Sequence, residues 1–425
     1  MMALMLAGLC GCNSHQKQEE TATVEGFKPL LDTETECKID VIGSYNNFES
    51  LEEEFKRFNK YYPNVEMRFT KVDNYSNMLG TVLNGNDAPD IYVNYNWMYG
   101  REQYKESIEH AQDLSDPALG LDLECLRDNI ILKTEDGSLP MVPVFSNTYG
   151  MLVNEELFEK EGLSVPTTYQ ELVDVCAAFR AKGYEDPLMG FTKEETTSLF
   201  TICIYPYFCS LIADDAKAIE KLNALDPAAG EYMRPALEKV KEFMDDGLID
   251  LEHCDAIENN YEAVILRFFE GDVPMMTGSG DTVSGTEKRE SRSEAFIAHR
   301  FSYSFHPIPM AEDGACFLDM SNLQFSVNKD SDVLEMADEF MRFLITSEEL
   351  NTMAANKGLT SPTKDLSFND MYAAFGTIPE KKVLSPEEFG LIDDAVKQLR
   401  QAVYAVARGT MSVDEAVAAY GSFDR

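Results

Sequence analysis

Apolar positions recur along this chain with two periods, one suited to strands and one to helices. Residues 37–44 (CKIDVIGS) read as a buried strand, with a loop at Tyr45, Asn46 and Asn47. Leu51, Phe55, Phe58 and Tyr62 then fall on one helical face, with Ser50 and Glu53 spaced as a capping box. Pro63 closes that helix, and residues 65–69 alternate as a second strand, which predicts a right-handed parallel strand–helix–strand unit. Residues 78–83 are helical, and after the turn NGNDAPD a third strand, Ile91, Tyr92 and Val93, ends at Asn94, Tyr95, Asn96 and Trp97.

The same periods continue downstream. Residues 149–153 form a short strand, and Thr168 with Glu171 makes a capping box. The helix it opens carries Leu172, Val175, Cys176 and Phe179 on one face. Residues 196–212 are an apolar helical segment rich in aromatics, and a helix through 236–244 ends at Gly247. Residues 317–327 read as a strand pair. The helix over 332–344 turns Val333, Met336, Ala337, Phe340, Phe343 and Leu344 inward. Ser412 and Glu415 cap a closing helix whose face is Val413, Ala416, Val417 and Tyr420. Strands alternate with helices as in an α/β protein, and 425 residues are long enough for two domains or lobes, each with its own core.

The first residues read differently. Residues 1–11 (MMALMLAGLCG) are apolar, uncharged and too short to span a bilayer. Leu9, Cys10, Gly11 and Cys12 resemble a bacterial lipobox, with Cys12 as the residue to be lipidated. Residues 1–12 are therefore expected to be a lipoprotein signal segment. Residues 13–36, polar and without period, are expected to be a flexible tether. An extracytoplasmic location on the outer face of the bacterial cell membrane follows.

Charge narrows the partners. The formal net charge of -39 argues against nucleic acid and against anionic lipid held through basic patches. No cluster of Lys and Arg in the sequence suggests a site for an anionic solute. The nine cysteines form no CxxC and no metal-finger spacing, so neither a structural zinc nor any other metal or cofactor is expected. Cys176 and Cys203 lie in apolar runs and read as small buried hydrophobes.

Five words in order carry a family resemblance. The stretch 143–183 reads as P-x6-G-x3-N-x2-LF-x3-GL-x2-P-x-T-Y-x-EL. Asn86, Asp87, Ala88, Pro89, Asp90 and Ile91 make a second word, and residues 268–276 (FFEGDVPMM) a third. His306, Pro307, Ile308 and Pro309 make a fourth, and the closing 409–420 helix a fifth. From about residue 37 onward the chain resembles the family 1 extracellular solute-binding proteins of ABC importers. That resemblance implies a two-lobe periplasmic-binding-protein-like (type II) fold with a hinge and several crossovers. Lobe one is expected over 37–144 plus 320–360, and lobe two over 145–319 plus 361–425. It also implies a monomer that closes on a sugar or oligosaccharide and delivers it to permease subunits.

A sugar offers hydroxyls to polar side chains and an apolar face to aromatic rings. Ligands of open α/β sheets sit beyond strand carboxyl ends. Tyr45, Asn46 and Asn47 are candidates on that ground, as are Tyr95, Asn96 and Trp97, the only tryptophan. Ser146 and Asn147 stand at the first crossing between lobes, and Asp319 and Ser321 at the second, beside Asn322. Lobe two offers Tyr205, Ser279 and Asp281. Asp281 and Thr282 stand where many relatives carry a tryptophan.

Other functions fit less well. A glycan hydrolase needs two carboxylates at fixed separation, but carboxylates are everywhere in this chain, and neither Gly-x-Ser-x-Gly nor His-Glu-x-x-His occurs. A ferric binder needs paired tyrosines with a histidine or carboxylate. Tyr61 and Tyr62 are adjacent and diverge on a helix, and Tyr205 and Tyr207 have no evident histidine. A polyamine- or peptide-binding relative of the same fold is the alternative that the acidic composition favours.

Overall fold

The computed structural model describes residues 26–46, 48–95, 102–190, 199–256, 261–366, 368, 370–386 and 390–423. In chain order its strands begin with β1 (Cys37–Gly43), β2 (Val65–Lys71), β3 (Ile91–Asn94) and β4 (Val142–Asn147). β5 (Tyr149–Asn154), β6 (Leu188–Met189), β7 (Met275–Ser279) and β8 (Tyr303–His306) follow. The last three are β9 (Phe317–Leu318), β10 (Met320–Val327) and β11 (Val383–Leu384). They form two main sheets, β2-β1-β3-β10-β4 and β6-β7-β5-β8, and a small parallel pair of β11 with β9.

The first sheet grows from the opening unit. β1 and β2 pair in parallel from Cys37↔Val65 to Gly43↔Lys71, and β1 also runs parallel to β3. The intervening helix Glu49–Phe58 buries Leu51, Phe55 and Phe58. Its expected capping box is absent. Phe48, fully buried, stands at the N-cap, and its carbonyl accepts from the N–H groups of Leu51 and Glu52. Ser50 therefore lies inside the first turn, with its hydroxyl buried and without a hydrogen-bond partner. Apolar packing of Phe48 sets this helix start.

The second sheet is antiparallel where β5 meets β7 and β8, and parallel at β6 and β7. The box of Thr168 and Glu171 forms, and Leu172, Val175, Cys176 and Phe179 are all buried. Ser412 and Glu415 likewise cap Val413–Ala418. Burial pushes the Cys176 and Cys203 thiols up, which suits apolar filling. One core lies around the first sheet, and two clusters flank the second.

Other expectations change. β9 and β10 are not a pair: β9 turns to β11, and β10 runs antiparallel between β3 and β4. β4 stays in the first sheet through Asn147, which pairs with Met320. Part of the expected tether is packed. The Phe27 ring lies 5.3 Å from Phe343 and 5.1 Å from Tyr61, and the Leu30 N–H donates to Glu339. A lone aromatic in a polar stretch finds a partner only when the chain folds back onto lobe one. Cys12 and the rest of residues 1–25 lie outside the described residues.

Candidate functional site

An open cleft of about 1200 Å³ lies between the sheets. Its floor is formed by Asn147 at the end of β4 and by Met320, Ser321 and Asn322 at the start of β10. The register of β10 against β4 shifts between Ser321 and Leu323. Such an irregularity breaks strict alternation, so the adjacent Ser321 and Asn322 both reach the cleft. Tyr45 and Asn46 line it from the carboxyl end of β1, and Tyr95 from that of β3. The Tyr95 and Ser44 hydroxyl oxygens are 2.5 Å apart, and the Tyr75 hydroxyl donates to the Val93 carbonyl at 2.6 Å. The end of β3 is thereby held in place.

Asp281 is the polar centre. β7 ends at Ser279, whose side chain caps the helical turn Gly280–Val283 while the Thr282 hydroxyl accepts from the Ser279 N–H. Asn147 and Asn322 each donate to one carboxylate oxygen of Asp281 at 3.1 Å. The Asn147 side-chain oxygen Oδ1 accepts in turn from the N–H groups of Thr148, at 2.9 Å, and Gly280, at 2.8 Å. Position 280 must be glycine for this: a Cβ there would stand 2.4 Å from Asn147 Oδ1. Loss of water around Asp281 pushes its pKa up, opposed by Asn322, by the charge of Lys357 and by Asn147.

Aromatic rings supply a second kind of surface. Phe200 and Tyr205 lie 5.5 Å apart with planes tilted by 40°, where a π-helical turn over Leu199–Ile204 gives way to the helix Tyr205–Ile212. Tyr149 and Tyr205 pack against Met320 and Leu318, and the Arg400 guanidinium lies 5.3 Å from the Phe200 ring centre. In lobe one the Tyr45 ring meets Phe48 edge-on at 4.9 Å and carries the Lys357 ammonium 4.7 Å from its centre. This arrangement presents amides, hydroxyls and a carboxylate at the floor, with ring faces on the lobe-two wall.

Residues 54–379 match the family described as bacterial extracellular solute-binding protein. The chain belongs to that family. Over 376 residues this solute-binding protein is 22% identical to the melibiose/raffinose/stachyose-binding protein MelE of Bacillus subtilis (strain 168), covering 88% of this chain and 82% of MelE. The apo form of RafE from Streptococcus pneumoniae superposes with a TM-score of 0.69 at 18% identity, over 90% of this chain and 97% of RafE. A Bacillus licheniformis sugar transporter in complex with stachyose gives 0.60 at 18% identity, over 91% of this chain and 98% of that one. These structural likenesses establish the two-lobe fold. Its family makes the chain a binder of solute rather than an enzyme.

Within the solute-binding protein the expected residues divide. Tyr45, Asn46, Tyr95, Asn147, Tyr205, Ser279, Asp281 and Ser321 all line the cleft. Asn47, Asn96 and Trp97 lie outside the described residues. Ser146 and Asp319 sit at the crossings but do not line the cleft. The Ser146 hydroxyl donates to Thr360 at 2.8 Å and lies 3.0 Å from the Ser361 carbonyl. Asp319 is buried against Arg127, with Nε and Nη2 of the guanidinium each 2.8 Å from a carboxylate oxygen, and it accepts from Asn129 at 3.1 Å. Arg127 Nη1 donates further to the carbonyls of Ser361 and Thr363, both at 2.7 Å. Together these bonds clasp three crossing segments.

Sequence reasoning missed Tyr149, Phe200, Lys288, Arg289, Lys357 and Arg400, all in the lining. Lys357 stands directly before Gly358, the left-handed glycine that ends its helix, the one local signal among them. The others sit on helices, strands or turns whose cleft-facing side no periodicity marks.

Proposed function

We propose that this protein is the extracytoplasmic, lipid-anchored solute-binding subunit of an ABC importer and that it captures a mono- or oligosaccharide between its lobes. The observation that carries the reading is the cleft itself: a carboxylate oriented by two amides lies at the floor, and tyrosine and phenylalanine rings form a wall. Hydroxyls and the C–H face of a sugar ask for those two surfaces. MelE, named for melibiose, raffinose and stachyose, supports the class of solute. Tyr45, Asn46, Tyr95, Asn147, Tyr205, Ser279, Asp281 and Ser321 are the proposed contacts, with Asn47, Asn96 and Trp97 kept from the sequence. Solute that touches both lobes only when they are shut shifts the population toward the closed form that permease subunits read. Lipidation of Cys12 would tether the chain at the membrane. The polyamine alternative is disfavoured, because Lys357, Lys288 and Arg289 line the cleft and repel a polycation.

A thermal-shift screen of saccharides, amino acids and polyamines tests the reading. Solute at about a hundredfold its dissociation constant adds about 2.7 kcal/mol of stability. A saccharide hit that Tyr205→Ala weakens supports the assignment, and a hit confined to polyamines or amino acids overturns it. For the anchor, wild type should partition with membranes and Cys12→Ala should be released.

A further inference from the structure

The chain holds 36 Lys and Arg against 75 Asp and Glu, yet the described lining of the cleft holds five cations against four acids. At the overall ratio nine charged residues would include about three cations. The five are Lys133, Lys288, Arg289, Lys357 and Arg400. No two of them except Lys288 and Arg289 are close in sequence, so folding alone assembles them.

Three of them lie within electrostatic reach of one another. Lys357 ends the helix Ser347–Lys357 of lobe one, and its ammonium rests on the Tyr45 ring rather than on a carboxylate. Lys288 and Arg289 belong to the short helix Thr286–Glu290 of lobe two and lie near enough to repel Lys357. Lys288 and Lys357 make no ion pair among the described residues. Arg289 bonds to Glu262 at 3.0 Å and to the Gly285 carbonyl at 2.9 Å, while its Nε–H is buried with no acceptor. Gly285 leaves the space: a Cβ there would fall 1.6 Å from Arg289 Nη1. Asp281 and Glu49 attract Lys357, and Arg289 and Lys288 repel it less strongly, but neither carboxylate makes an ion pair with it among the described residues.

Two ammonium groups without ion pairs and a buried guanidinium N–H without an acceptor are donors that an anion between them would satisfy. Neutral hydroxyls need no such arrangement. We infer that the solute is a saccharide bearing an oxyanion, a uronic-acid carboxylate or a sulfate ester, which sits between Lys357 on lobe one and Lys288 and Arg289 on lobe two. This rests on the sugar-binding reading and names the class of sugar. The overall negative charge does not oppose it at contact range, since salt screens distant charges over about 8 Å at physiological ionic strength.

Titration calorimetry on the full chain tests the inference with three probes: oligogalacturonate, a sulfated disaccharide and neutral raffinose. One acidic probe should bind at least about tenfold more tightly than raffinose, as a charge-assisted hydrogen bond implies. Its affinity should fall as salt rises. Lys288→Gln, at an exposed position, should weaken that probe about tenfold with the melting temperature unmoved, and Lys357→Met should do the same. The preferred probe separates carboxylate from sulfate. Raffinose binding as tightly as either acidic probe, or indifference of the acidic probe to both substitutions, overturns the inference and leaves the sugar reading standing. Binding of amino acids or polyamines with no saccharide bound overturns both.

Discussion

Replacing Asp319 by alanine removes one side of a buried ion pair and leaves the other in place. The Asp319 side chain is 1% exposed and that of Arg127 15%. The carboxylate receives two hydrogen bonds of 2.8 Å from the guanidinium and one of 3.1 Å from Asn129. Arg127 would keep the carbonyls of Ser361 and Thr363 but lose its counter-charge. Breaking a buried pair from one side costs about 3–5 kcal/mol. At about 2–4 °C per kcal/mol for a cooperative unit of lobe size, the melting temperature should drop by roughly 6–20 °C. Scanning calorimetry measures this directly. The solute's dissociation constant, taken well below the melting transition, should change by less than about threefold, since Asp319 does not reach the cleft. A melting temperature unchanged within about 2 °C would refute the clasp. Affinity lost by more than about tenfold with stability intact would place the carboxylate on the solute instead.

Other perturbations follow from the same geometry. Glu54 is buried with Arg57 Nε 3.3 Å from one carboxyl oxygen, a long contact because Arg57 gives its hydrogen bonds to Glu349. Burial first, and then Glu349, hold its carboxyl well above the usual range, so the folded chain binds the Glu54 proton more tightly than the unfolded chain does. That contribution is fully present below the ordinary value of 4.5 and is lost as pH rises above it. Glu54→Gln should therefore gain on wild type with rising pH, by at least about 1.4 kcal/mol near pH 8, and chemical denaturation at several pH values reads the trend. Phe27→Ala should destabilise lobe one by about 1–3 kcal/mol, because the half-buried ring packs on Phe58, Tyr61 and Phe343. An unchanged denaturation midpoint would return residues 26–36 to the role of a loose tether. Gly280→Ala should push Asn147 off its three bonds and cut solute affinity by about tenfold or more, measured by calorimetry.

Local periodicity and local chemistry settled much of the secondary structure from the chain alone. The face Leu172, Val175, Cys176 and Phe179 and the caps at Thr168 and Ser412 involve residues within one or two helical turns of each other. Their contacts form wherever the helix does. The strand ends at Tyr45 and Tyr95, and the polar residues at the crossings, were legible for a related reason: strand order and connection rules place them at one edge of each sheet. Where those rules failed, a distant partner had won. Burial of Phe48 displaced the box at Ser50, and β11 took β9 away from β10.

The side chains at the crossings and the charge of the cleft were decided only in three dimensions. Asp319 and Asp281 look alike in sequence, both polar residues at or just after strand ends. Arg127, 192 positions from Asp319, consumes the first, whereas Asn147 and Asn322 orient the second toward the cleft. Lys133, Lys288, Arg289, Lys357 and Arg400 form no run in the chain, and an acidic composition conceals them. Charge acts through distance in space, and only the packing of two lobes brings those five to one site.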